Sequence, residues 1–197
     1  MTRRRAAAAA ALPIAALVAL SGCALLEPQT SQDPPTALEQ CALGHQWRLD
    51  TQDVAAQVLA LLTADGNAVT EVTASGTQTL DWTEQSHATL EVDFTVTAVL
   101  PPPAEGQERL VTGHYDGVAT GRAYINGPVA IPRNWDDGDL DSRITATLDG
   151  VEEEVLPFRL PQTVINDTVG LQLTCEGSTL TIQQRGHDIV LRWARVS

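Results

Sequence analysis

The stretch Ala88-Thr-Leu-Glu-Val-Asp-Phe-Thr-Val-Thr-Ala98 decides the fold class. Ala88, Leu90, Val92, Phe94, Val96 and Ala98 alternate without a break with Thr89, Glu91, Asp93, Thr95 and Thr97. Successive side chains of a strand point to opposite faces, so this period of two predicts a strand with one dry side and one wet side. Weaker alternation recurs at 69–73, 77–82, 110–115, 118–125, 143–148, 155–160, 170–175, 178–183 and 189–196. Turn chemistry separates these runs at Tyr115-Asp116-Gly117, Asp149-Gly150, Glu176-Gly177 and Arg185-Gly186-His187. Short strands joined by tight turns read as antiparallel hairpins. The predicted class is therefore mainly β, an antiparallel barrel or sandwich.

One segment before this region follows a different period. Val54, Val58 and Leu61 or Leu62 recur at helical spacing, with Ala55 and Leu59 widening the stripe. Asp50 is placed to cap the first turn, and Asp53 meets the positive end of the helix dipole. Asp65-Gly66-Asn67 ends the run with residues that tolerate left-handed backbone. The prediction is one packing helix over 50–64.

The first residues carry an address. Arg3, Arg4 and Arg5 precede an apolar run to Leu20, and small residues precede a cysteine in Leu20-Ser21-Gly22-Cys23. A basic end held at an anionic cytoplasmic face, followed by a stretch that enters the membrane, is the physics of a secretory signal. The tetrad resembles a bacterial lipobox. That resemblance implies cleavage after residue 22, a diacylglycerol on the Cys23 sulfur and an extracytoplasmic, acyl-anchored (palmitate-type) location at the cell membrane. An ordinary secretory signal with an incidental cysteine, or a simple membrane anchor, is the other reading of the same residues. Residues 23–40, with Pro28, Pro34, Pro35 and many Gln, Ser and Thr, read as a stalk. The expected domains are thus 1–22 signal, 23–40 acylated cysteine and stalk, and 41–197 an antiparallel β domain.

Charge narrows the partners. Nine of the twelve basic residues and all 25 acidic ones follow residue 22, a net charge of −16, and there is no lysine. Such a surface repels phosphate backbones, which argues against nucleic acid. It also repels an anionic bilayer, so attachment is expected from the lipid alone.

With Cys23 given to lipid, Cys41 and Cys175 remain as an even pair in an oxidising compartment. One disulfide is the reading adopted. Two free thiols or metal ligands are the alternative, although neither cysteine has the spacing of a zinc motif.

The domain opens Cys41-Ala-Leu-Gly44-His-Gln-Trp47 and ends with Leu173-Thr-Cys175-Glu-Gly177-Ser-Thr-Leu180 followed by Leu191-Arg192-Trp193-Ala-Arg195. With Gly76-Thr-Gln-Thr-Leu80-Asp-Trp82, these ends resemble a group of actinobacterial surface lipoproteins. More remotely, a Gly and Trp near the start with an Arg on the last strand are similar to lipocalin-like barrels. Two residues separate Gly44 from Trp47 where those barrels have one. The resemblance implies a fold and a location, with no activity to transfer.

Residues able to carry chemistry are few. Asp136, Asp137, Asp139 and Asp141 around Gly138 offer oxygens to Ca²⁺, but the spacing is not that of an EF-hand, and an acidic surface loop is the expectation. Glu152, Glu153 and Glu154 read as a solvated hairpin edge. His45, His87, His114 and His187 are scattered, and no Gly-x-Ser-x-Gly elbow occurs. His114-Tyr115-Asp116 is the one candidate proton-transfer group, read as a turn. Trp47, Trp82 and Trp193 are expected in the core, with Arg192 or Arg195 stacked on a tryptophan. No catalytic residue, metal or cofactor is assigned, and no enzyme is expected. The expected function is non-catalytic binding of a small apolar ligand inside the barrel. The alternative is an interaction lipoprotein that meets a cell-envelope protein through its acidic surface.

Overall fold

A computed structural model describes residues 34–165 and 170–196. In chain order the elements are α1 (Ala37–Ala42), β1 (His45–Leu49), α2 (Thr51–Ala64), β2 (Glu71–Trp82), β3 (His87–Leu100) and β4 (Arg109–Asn126). Then follow β5 (Val129–Asp136), β6 (Asp141–Leu148), β7 (Val151–Glu152), β8 (Leu171–Glu176), β9 (Thr179–Gln184) and β10 (Val190–Arg195).

β3 forms where the alternation is unbroken, and its six apolar side chains from Ala88 to Ala98 are each at most 5 % exposed. Every strand pairing is antiparallel, in the single order β3-β2-β1-β10-β9-β8-β5-β4-β6-β7. β3 also pairs along its length with β4, so the ladder runs from β3 through seven other strands and returns to it. Within that closed ladder the seam between β5 and β8 is the thinnest, with Val129 opposite Gln172 and Ala130 opposite Leu171. The buried side holds Trp47, Trp82, Trp193 and Phe94, each 1 % exposed or less, as the apolar faces require.

α2 follows the expected caps. The Asp50 carboxylate accepts from the backbone N–H of Gln52 and of Asp53, both at 3.1 Å. That cap contributes about 1 kcal/mol. Val54, Val58 and Leu62 are buried at a four-residue interval, and the helix packs against β2 and β10. Each such side chain contributes roughly 1.5–3 kcal/mol.

The strand inventory differs from expectation in several places. There are two helices among the described residues, since α1 begins inside the stretch read as stalk, held by a capping box between Thr36 and Glu39. The runs 69–73 and 77–82 merge into β2, because Gly76 at φ +88° lets the strand bend instead of ending. Tyr115-Asp116-Gly117 is not a turn. It lies in the middle of β4, where Gly117 at φ +119° bends the strand. β1 and β5 were not expected, and β5 continues through Trp135 and Asp136, which were read as loop. The predicted strand at 155–160 is absent; that stretch is irregular. Its alternation reflects Phe158 and Leu160 turning inward from a loop.

Candidate functional site

The buried side of the sheet is uneven, and the unevenness is written in the side chains. β3, β9 and β10 supply large groups, including Phe94, Ile182 and Trp193. Along β4 the inward positions are Val111, Gly113, Tyr115, Gly117, Ala119, Gly121 and Ala123, with Ala130 on β5 and Ala146 on β6 beside them. The glycines and alanines among them leave a trough, and the segment 160–165 and the Trp135 ring lie against it. A Cβ on Gly113 would come within 2.8 Å of Leu160 Cδ1, and one on Gly121 within 2.7 Å of Trp135 Cε3.

The first of these pieces is the irregular segment 160–165. Leu160, Thr163, Val164 and Ile165 are all buried there without belonging to a helix or strand. Its backbone is held by two buried amides: Gln184 Nε2 donates to Val164 O at 2.9 Å, and Gln78 Nε2 donates to Thr163 O at 3.4 Å. Gln78 is fully buried, yet its Oε1 has no partner, and neither has the Thr163 hydroxyl. An unpaired buried polar atom costs about 1–3 kcal/mol. Tyr115 stands beside them, and burial pushes its phenol above its ordinary range. The nearby Thr163 side chain offsets part of that effect without forming a well-shaped hydrogen bond.

With the segment in place, the void it borders among the described residues is small. The void bounded by Leu80, Trp82, Ala88, Ala123, Trp135, Ile165 and Ile182 measures about 10 Å³, no more than a single water needs. Outside it, a cleft of about 190 Å³ opens between Tyr115, Leu140 and the segment's Gln162, Val164 and Ile165.

The residues singled out from sequence are distributed as follows. The signal, Cys23 and the stalk up to residue 33 lie outside the described residues. Cys41 and Cys175 stand at disulfide-bonding distance, 2.02 Å between sulfurs, and tie α1 to β8. Above them Arg195 stacks on Trp47 at 5.1 Å and donates to the Cys41 carbonyl at 3.0 Å. Arg192 pairs instead with Asp53 at 2.8 Å. Among the described residues no three His, Cys, Asp or Glu side chains converge as metal ligands, and no helix is long and apolar enough to cross a membrane.

The outer face carries two arrangements, of which the sequence reading had singled out only His114 with Asp116. Asp93, Asp116 and Asp141 stand directly opposite one another across β3, β4 and β6. Like charges so placed oppose sheet pairing by a few tenths of a kcal/mol up to about 1. Next to them Thr95 Oγ1 lies 3.0 Å from His114 Nδ1, and His114 Nε2 lies 3.4 Å from Asp116 Oδ1. A hydroxyl, an imidazole and a carboxylate in a row has the composition of a nucleophile with its base and acid. Here the row sits on an open sheet face, with His114 and Asp116 49 % and 56 % exposed, so solvent enters freely where such chemistry needs a dry pocket.

Gln78, Thr163 and Gln184 also escaped the sequence reading. The signal that finds them is the Gly/Ala alternation of β4, which predicts a trough needing an occupant. Comparison with family models, with characterised proteins and with solved structures returns no match for this chain.

Proposed function

We propose that this chain is an acyl-anchored extracytoplasmic domain that binds without catalysing, similar in kind to actinobacterial surface lipoproteins. The anchor is the Cys23 thiol, and the fold is an antiparallel barrel of the lipocalin-like type. The return of the strand pairing to β3 supports the barrel. The observation that favours the surface mode is the close packing where 160–165 meets the sheet, with about 10 Å³ left in the void beside Ile165, which leaves the outer face to meet a partner. That face is acidic, with Asp93, Asp116 and Asp141 aligned across three strands, and the net charge after residue 22 is −16. The partner it fits is a basic segment of a cell-envelope protein, attracted over distance and oriented on arrival. An apolar ligand inside the barrel, the other binding mode, requires that the interior first be vacated.

Crosslinking in intact cells tests the surface reading. The full chain should capture a discrete protein, and Asp93→Asn, Asp116→Asn and Asp141→Asn together should lower that capture by about ten-fold at low salt. Undiminished capture by the triple variant would sink the acidic-face assignment. Separately, Cys23→Ala should abolish lipid labelling; labelled protein in that variant refutes the anchor.

A further inference from the structure

The segment 160–165 behaves as an occupant and not as a part of the sheet. It has no helix or strand pairing of its own, while the trough beneath it is built by β4, β5 and β6 independently of it. What it places there is aliphatic, Leu160, Val164 and Ile165, together with two backbone carbonyls. Those carbonyls accept from Gln78 and Gln184, and the first of these bonds is long. The fit is also incomplete, since Gln78 Oε1 remains buried without a donor.

We propose that residues 160–165 are a displaceable plug, and that the trough is a latent site for a long acyl chain. The ligand's ester carbonyl takes the place of the Thr163 carbonyl on the amide of Gln78, and a second ligand oxygen takes that of the Val164 carbonyl on the amide of Gln184. A hydroxyl close to that carbonyl supplies the donor that Gln78 Oε1 lacks. Side chains around the position are amides, a phenol and hydrocarbon, so the head of the ligand is uncharged: an acyl ester of a polyol, not a carboxylate, whose burial without a cation is costly. Entry is at the seam where β5 and β8 share only two residue pairs. This goes beyond the surface reading, and either can fail without the other.

The test uses the full chain in a steroid detergent, free of acyl chains. Thr163→Cys places a thiol at a fully buried position of the plug, and Ala98→Cys places one at an equally buried position of β3. Local opening should let a water-soluble maleimide react with the first at least about ten-fold faster than with the second. Monolaurin should then raise the first rate further and leave the second unchanged. Equal rates for the two thiols overturn the plug, and so does indifference of both to monolaurin. Sodium laurate acting as strongly as monolaurin overturns the uncharged-ester assignment. Should either variant fail to fold, native mass spectrometry of the unsubstituted chain decides: one monolaurin bound supports the site, and none, or a ladder of several, overturns it.

Discussion

The side-chain amide of Gln57 pairs with the backbone of Val190 in both directions. Nε2 donates to the Val190 carbonyl at 2.8 Å, and the Val190 N–H donates to Oε1 at 2.9 Å. A glutamine on α2 thereby acts as a strand neighbour for the first residue of β10, in the place where a ladder would otherwise leave both groups to water. Gln57 Nε2 also donates to Asp53 Oδ2 at 2.6 Å, and Asp53 pairs with Arg192, so helix and strand are joined by one continuous polar line.

Gln57→Ala should therefore lower stability by about 1–3 kcal/mol, because both backbone groups of Val190 lose their partner. Gln57→Glu should not restore it, since a carboxylate cannot donate to the Val190 carbonyl and adds a charge next to Asp53. Urea unfolding of the two variants checks this; full stability in Gln57→Glu would show that shape, not donation, holds the helix.

Cys41→Ser and Cys175→Ser should weaken the fold equally, and the double variant should be no worse than either. The pair is separated by 134 residues in sequence. Chain entropy alone puts the stabilisation from closing such a loop near about 4–5 kcal/mol, before any offset from residual structure in the denatured state. Additive losses in thermal denaturation would mean that the two thiols act separately.

Burial raises the Tyr115 phenol above its usual value. The folded state then keeps its proton at a pH where the unfolded chain has released it. The stability this gives is full below about pH 10 and is lost as pH climbs through the higher folded value. Tyr115→Phe should flatten the decline in melting temperature between about pH 9 and about pH 11. An unchanged slope would assign that decline to other groups.

Gly76→Ala and Gly117→Ala should each be severely destabilising. Both glycines have positive φ, and a Cβ at either would overlap a carbonyl, that of Asp93 at Gly76 and that of Asp139 at Gly117. The combined backbone strain and overlap are on the order of 2–4 kcal/mol. Gly150→Ala is the control: φ is also positive, but no atom lies within 4 Å, so only the smaller conformational cost of about 1 kcal/mol is expected. Equal losses in all three, read from denaturant midpoints, would refute the overlap argument.

The strand β3 was legible because its two faces differ at every residue, and a period of two needs no distant partner to be read. α2 was legible for the same reason, with Asp50 and the Val54, Val58, Leu62 stripe all inside one local window. The tryptophans Trp47, Trp82 and Trp193 followed from size and hydrophobicity. β1 was hidden because five residues, His45 to Leu49, hold too little pattern to stand out. β4 was cut in two because Tyr-Asp-Gly is turn chemistry locally, and only the pairing with β3, where Val92 stands opposite Gly117, carries the strand through that bend.

By itself the sequence determined which residues alternate, where a helix starts and stops, how many cysteines remain to pair, and how acidic the exterior is. These are properties of neighbours along the chain, set by backbone geometry and side-chain polarity. Tertiary structure alone decided that the strands return on themselves through β3 and β4, that Gln57 finds Val190, and that 160–165 fills a trough floored by Gly113 and Ala119. Each of those depends on residues tens of positions apart meeting at one spot. The free energy that selects such a meeting comes from excluding water from the whole interior, a quantity that no single stretch of chain contains.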